Sequence, residues 1–552
     1  MSNHRQQLVC CLSPVNVTVS RRSLQETDAS YCLKKDVTAQ QREENLHNVE
    51  YPLGDAVFPM NYNLELKITP YDLKQNKADG KFHGILTISL NVTKDTDEIL
   101  LTIGKKLTIN SVYLDHQKTG TNEKQELELI SGKDIYKIKA HLKVGGDYAL
   151  HFSYSGEVSY EEDEPIGIFY GNKQQSSIVT MNEPYGLREI MPSFDAPVYK
   201  AVWDVMIEHP SNTKALSNNE PISETKTLDG KTITKFKSSP KMSSYLFAIA
   251  VLPDSFQQKT VLTERGIKVT AYADQSSKNL EDSAKKTAQT IDFLEEYTGI
   301  NYPMEKLDLY GSEIYFGGAM ENYGLIGAKY VDYANVHETT HQWFGNLVTC
   351  KSFASIWLNE GLTTFMETKQ THAEKKDLHS YPISNEHQME NLFNKFEIFD
   401  QENYFSFNEN AYKEPNLKLM ILEEAIGEEN MKIGLRAYLA KYQNSNANTY
   451  DFIDVFVDAL REKMSEEEQI NVLNYFHTQI LEGHLYTLKH EEGVSITLEE
   501  TGNKNCFEKR DNAKYPILFD YHGESVHWLK EGEKFPLDSK IKLGPNQLYQ
   551  NS

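Results

Sequence analysis

Cysteine is scarce in this chain: five in 552 residues (Cys10, Cys11, Cys32, Cys350 and Cys506), odd in number and without a Cys-x-x-Cys pair. That pattern argues against a disulfide framework and against cysteine-bound zinc, and it suits free thiols in a reducing compartment. Long apolar runs are also missing. None approaches the roughly 18 residues that a membrane-crossing helix needs, so no transmembrane segment is expected. At the amino terminus Leu8-Val9-Cys10-Cys11-Leu12 is too short for a secretory h-region and soon meets Pro14 and Arg21-Arg22. A cytoplasmic location is therefore expected, with a secreted or membrane-associated one as the alternative that the sequons at Asn16 and Asn91 would favour. Basic residues are outnumbered, 57 against 80, for a formal net charge of -23. This argues against nucleic acid and anionic membrane as partners and leaves a solvated acidic surface, or one that attracts cationic groups such as peptide amino termini.

What is present is the composition of an ordinary globular protein, long enough for two to four domains. Residues 1–49 are polar and aperiodic and read as a disordered leader. Over residues 50–253 strand patterns dominate: Tyr62 to Ile68, Ile85 to Val92 and Val202 to Ile207 alternate, with turn signals at Asp79-Gly80 and Asp229-Gly230. A sandwich-like β domain is expected there. From residue 254 to 480 the character is mixed. Ala284, Ala288, Ile291 and Leu294 fall at helical spacing with Gly299 placed to end the helix, short strands are expected near Lys306 to Tyr310, and helices over Met431–Tyr442 and Tyr450–Met464. Alternation returns over residues 481–552, in Val494 to Leu498 and Tyr515 to Phe519, as expected of a small β domain. The fold class is α+β, multidomain.

One pattern carries chemistry. His337-Glu338-Thr339-Thr340-His341 is followed, with eighteen residues between, by Glu360 within Trp357-Leu358-Asn359-Glu360-Gly361. Histidines at i and i+4 project from one helix face about 6 Å apart, within reach of one metal ion. Zinc takes imidazole nitrogen and carboxylate oxygen, and catalytic sites use three protein ligands with one position open. His337, His341 and Glu360 supply that set, one Zn2+ per chain. Glu338 then stands beside the metal, where a base is next to a water whose pKa zinc lowers towards about 7.

These motifs, with Gly318-Ala319-Met320-Glu321-Asn322 just upstream, resemble the M1 family of zinc aminopeptidases, of the gluzincin group. The run continues as Gln342-Trp343-Phe344-Gly345-Asn346. Tyr302-Pro303, Lys306-Leu307-Asp308, Glu183-Pro184, Pro192 and Phe194-Asp195 support the resemblance, which spans residue 50 to the carboxyl end. It implies an amino-terminal β domain, a thermolysin-like catalytic domain and a small β-sandwich. The helical domain that usually follows is not expected in a chain stopping at Ser552. The activity implied is hydrolysis at peptide amino termini. Glu321, with Glu183 from the β domain, would bind the substrate's α-amine; Gly318, Ala319, Met320 and Asn322 would line its path; Glu338 would be the general base and Tyr412 the donor to the developing oxyanion.

The chain departs from the family pattern in three places. Met181 stands where glutamine is common, and Tyr412 is followed by Lys413-Glu414-Pro415 rather than Lys-Gly after one residue. Only fourteen residues separate Asn322 from His337, roughly half the usual connector, so a strand and loop are expected to be missing and the metal helix to start near Val331. That places the register between Glu321 and the histidines at issue. The alternative function is a catalytically impaired homologue that binds peptides or a protein partner. An epoxide hydrolase is disfavoured by Glu183 where glutamine is expected, and an endopeptidase by Glu321.

Overall fold

The computed structural model of the protein describes residues 8–10, 17–19, 47–69, 80–116, 120–131, 134–159, 166–171, 177–274, 279–312, 315, 318–332, 335–375 and 411–476, and the backbone of strands between Tyr486 and Asn551. It forms two compact units: residues 50–351 with 443–446, and residues 1–49, 352–442 and 447–552.

In the first unit, alternation of apolar and polar residues builds the sheets. Lys81–Val92 buries every second side chain, and Val202–Pro210 does the same, so each presents one apolar face. These strands sit inside an eight-stranded sheet ordered 221–226, 231–236, 202–210, 57–69, 81–92, 148–157, 108–116 and 121–124. Strand 57–69 pairs in parallel with 202–210, bringing Tyr62 opposite Trp203, whose rings stack at 4.0 Å. A four-stranded sheet (167–170, 178–181, 249–253, 213–217) is buried almost throughout, and strands 167–170 and 249–253 read as unbroken apolar runs.

Sheet membership changes between Pro253 and Gln257. The next sheet has five strands in the order 257–262, 268–273, 306–311, 325–328 and 319–320. Its three central strands run parallel, which requires crossovers. Helix α1, Leu280–Thr298, makes the first of them, burying Leu280, Ala284, Ala288, Ile291 and Leu294. Gly299, at φ 69°, ends it and donates to the Glu295 carbonyl, as its position after the apolar stripe predicts. The last strand, Ala319–Met320, lies antiparallel at the sheet edge. Beyond strand 325–328 comes α2, Asn335–Thr340, a helix of six residues.

The second unit holds α3 (Trp357–Lys375), α4 (Lys413–Ile426), α5 (Glu428–Tyr442), α6 (Thr449–Ala459) and α7 (Glu466–Tyr475). Aromatic packing joins them: Phe452 meets Trp357, Tyr438, Phe456 and Phe476 with centroids 4.9–5.7 Å apart. The expected helix over Tyr450–Met464 stops at Ala459, where the Leu460 and Arg461 amides bond three residues back. A capping box of Ser465 and Glu468 then opens α7. Strands 486–491, 495–500, 514–520 and 525–530 follow where alternation returns in the sequence. Among the described residues no helix is long and apolar enough to cross a membrane.

Candidate active site

Helix α2 starts four residues beyond Val331, which lies in a turn. Short as it is, it sets the histidine spacing: the His341 amide donates to the His337 carbonyl over 3.1 Å. Thr339 and Thr340 return their hydroxyls to the Asn335 and Val336 carbonyls at 2.5 and 2.8 Å, satisfying polar groups that burial would otherwise penalise. Beyond His341 the chain widens. The amides of Asn346, Leu347 and Val348 donate five residues back, to His341, Gln342 and Trp343, a π-type turn of the kind found at functional sites.

The Nε2 atoms of His337 and His341 lie 3.1 Å apart. His341 is buried, and its Nδ1 is 3.0 Å from the Phe344 carbonyl oxygen, which can only accept. In a neutral ring that hydrogen bond puts the proton on Nδ1 and leaves a lone pair on Nε2, directed at the neighbouring imidazole. Two imidazole nitrogens so close call for a proton or a cation between them, and the donors suit zinc. The orientation by a backbone carbonyl is also what a metal-bound histidine uses to fix its tautomer.

Carboxylates gather at the same place. Glu321, Glu338 and His341 each bring a donor atom within 4.8 Å of the others, and Glu183 brings one within 4.8 Å of Glu321. All four side chains are buried. Glu321 follows the edge strand Ala319–Met320, Glu338 lies on α2, and Glu183 follows strand Ile178–Met181, ahead of a cis bond to Pro184. The chain is held there by Asn182, which donates to the Phe247 carbonyl at 2.6 Å. Met181 itself sits in the strand ladder opposite Gly167. Thus the first unit by itself brings together His337, His341, Glu338, Glu321 and Glu183, despite the short connector. Gly318 leaves open space: an added Cβ there would meet no atom within 4 Å. Ala319 and Met320 pair with Ala328 and Gly327 on one side only, as edge residues do. Asn322 is buried at the turn that follows.

Glu360 and Tyr412 belong to the second unit. Glu360 is buried in the first turn of α3. Tyr412 is half-buried and precedes α4, with Gly361 of α3 packed on Pro415 close by: a Cβ at Gly361 would fall 2.5 Å from the Pro415 Cβ.

Sequence reasoning missed several residues around the site. Tyr315 caps Gly327 and donates to the Thr180 carbonyl at 2.9 Å. Burial pushes its phenol above the usual range, with Glu338 adding to the shift. Lys306, taken from the sequence only as part of a supporting stretch, is buried, paired to Asp308 at 2.8 Å, and donates to the Ser217 and Gly324 carbonyls. Gln342 and Asn346 both reach the Glu321 carbonyl. Apart from the Lys306–Asp308 pair, no local pattern announces these hydrogen bonds, because each joins a side chain to backbone far off in sequence.

Residues 58–246 match the peptidase M1 N-terminal domain and residues 283–473 the peptidase family M1 domain. The chain belongs to peptidase family M1. Among curated M1 relatives it is 26% identical to aminopeptidase N of Haemonchus contortus, over 91% of this chain and 56% of that protein. It is 30% identical to puromycin-sensitive aminopeptidase of Caenorhabditis elegans over 74% of this chain and 46% of that one. Human glutamyl aminopeptidase matches at 28% over 78% of this chain and 48% of its own length. The chain spans about half the length of these M1 relatives.

Proposed function

We propose that this chain is a zinc-dependent aminopeptidase that releases residues from peptides with a free amino terminus. The observation that carries the proposal is the carboxylate pair Glu183 and Glu321, buried with oxygens within 4.8 Å, next to Glu338 and His341. Two buried carboxylates that close repel each other unless a cation or proton joins them. A peptide's α-ammonium is such a cation, and it would enter beside the metal-binding face.

His337, His341 and Glu360 would hold zinc, the last on the strength of its spacing and its burial at the start of α3. Bound there, zinc supplies a Lewis acid and lowers the pKa of water. The protein's own groups do the rest. Glu183 and Glu321 bind and orient the ammonium. Gly318 and Ala319 leave room for the peptide backbone along the free edge of strand 319–320, where main-chain hydrogen bonds are on offer, while Met320 and Asn322 flank it. Glu338 takes up a proton as the attacking oxygen adds and returns it to the leaving amine. Tyr412 donates its hydroxyl to the carbonyl oxygen as charge develops.

Of the domain limits 50–253, 254–480 and 481–552, the change of sheet between Pro253 and Gln257 supports the first boundary; the second rests on the return of alternation in the sequence. A peptide-binding homologue without turnover is the weaker reading, because the short connector still leaves Glu321 with Glu338 and His341. The test is zinc analysis of the purified protein combined with a panel of aminoacyl reporter substrates, free and acetylated. One zinc with cleavage of free substrates only is expected; equal cleavage of both forms would point to an endopeptidase.

A further inference from the structure

The amine site and the metal-binding residues lie on different elements joined by a short connector, so something else must fix their relative register. The bonds around residues 321–324 supply it. The Glu321 carbonyl accepts from Gln342 Nε2 at 3.0 Å and from Asn346 Nδ2 at 2.8 Å. Gln342 Nε2 also donates to the Glu338 carbonyl at 3.2 Å, and its Oε1 accepts from the Gly324 amide at 3.0 Å. One amide side chain thus clips both ends of the Glu321–Gly324 turn to the helix that carries Glu338. Both amides are fully buried. The wide turn after His341 is what aims Asn346 back at Glu321, since the Asn346 amide donates to the His341 carbonyl at 3.0 Å. From the other side, Asn218 holds the Tyr323 carbonyl at 2.8 Å, and Lys306 with the Asp308 amide holds that of Gly324. Gly324 has no freedom to change: at φ 76°, an added Cβ would fall 2.2 Å from the Asn218 carbonyl oxygen.

We infer that Gln342 and Asn346 are positioning residues that register the Glu321 carboxylate against the histidine pair, and so set selectivity for a free amino terminus. The inference rests on the proposed aminopeptidase function for its consequence, but the clip itself is independent of turnover. A carboxylate in place of either amide would lose the donor and set negative charge against carbonyl oxygens. An apolar side chain would leave the Glu321 carbonyl short of partners in a buried place, the costly way to lose a hydrogen bond.

The test uses the full zinc-loaded chain and the variants Gln342→Met and Asn346→Asp, with Gln342→Glu as a variant that keeps the contact to the Gly324 amide. Three quantities are read: zinc content, hydrogen exchange of the Ala319–Gly324 segment, and calorimetric binding of a free against an acetylated dipeptide. We expect unchanged zinc, exchange faster by about tenfold in that segment, and a loss of free-amine preference by about tenfold, as for one or two lost hydrogen bonds. Unchanged exchange in folded variants would overturn the inference. So would faster exchange with the free-amine preference intact, which would make the amides structural only. If the parent protein shows no free-amine preference, the proposed function fails instead, and the exchange data still decide whether the clip exists.

Discussion

The Nε2 atoms of His337 and His341 lie 3.1 Å apart, and the zinc proposed to bind them can be measured. His341→Ala should leave purified protein without stoichiometric zinc by elemental analysis; full retention would remove the metal assignment. Glu321→Ala addresses the amine instead. Charged hydrogen bonds of this kind contribute about 2–3 kcal/mol, so kcat/KM for free substrates should fall by roughly 30- to 150-fold while acetylated substrates are unaffected. Away from the site, His209 is buried, with its ring nitrogens 2.9 Å from the hydroxyls of Thr213 and Thr234. Burial holds its pKa below the usual value. The folded state therefore binds that proton less readily than the unfolded chain. Stability is full above the unfolded value of about 6.5 and is lost as pH falls through the folded one. Urea midpoints should drop between pH 7.5 and 5.5, and His209→Gln should flatten that drop; an equal drop in the variant would assign it elsewhere. The proposed ligands His337 and His341, with the proposed base Glu338 between them, could be picked out in the sequence because i and i+4 positions share a helix face. Gln342 and Asn346 stood in the same run, yet their task was not, since it depends on a carbonyl more than twenty residues upstream.

At the scale of elements, periodicity read well where one pattern has one outcome. α1 ends at Gly299 as expected, and strands 57–69, 81–92 and 202–210 fall on the alternating segments. It read poorly where two helices run close together: the apolar face of α6 continues towards Leu460, but three-residue bonds tighten the end and the Ser465 box begins a new helix. Partner elements are invisible to periodicity altogether, and Gly361 shows why that matters. In a helix interior, Gly→Ala ordinarily gains about 1 kcal/mol. In α3 the new methyl would overlap Pro415 at the start of α4, and overpacking costs about 1–3 kcal/mol. Packing wins, so Gly361→Ala should lower the urea midpoint; a rise would show that α4 yields easily.

For the whole molecule, the sequence leaves one decision open, between an enzyme and a binder, and the fourteen-residue connector made it acute. Part of that connector is strand Leu325–Ala328, paired in parallel to Asp308–Gly311, and the turn before it is clipped by Gln342 and Asn346. Length between Lys329 and Asn335 is then not what sets the register. Inserting several residues in that stretch should leave zinc content and free-amine preference within about twofold of the parent, because no residue of the stretch makes a hydrogen bond of the clip. Glu338→Gln should behave in the opposite way: zinc and peptide binding kept, turnover lost by orders of magnitude, as expected when a general base is removed. Both are read from zinc analysis, dipeptide calorimetry and reporter hydrolysis on the same preparations. If zinc-loaded parent protein hydrolyses nothing, Glu338→Gln binds peptides equally well and the insertion changes neither result, the chain is a peptide binder built on an M1 frame. Hydrolysis by the parent and by the insertion variant, abolished in Glu338→Gln, makes it an aminopeptidase whose register is carried by two buried amides rather than by its connector.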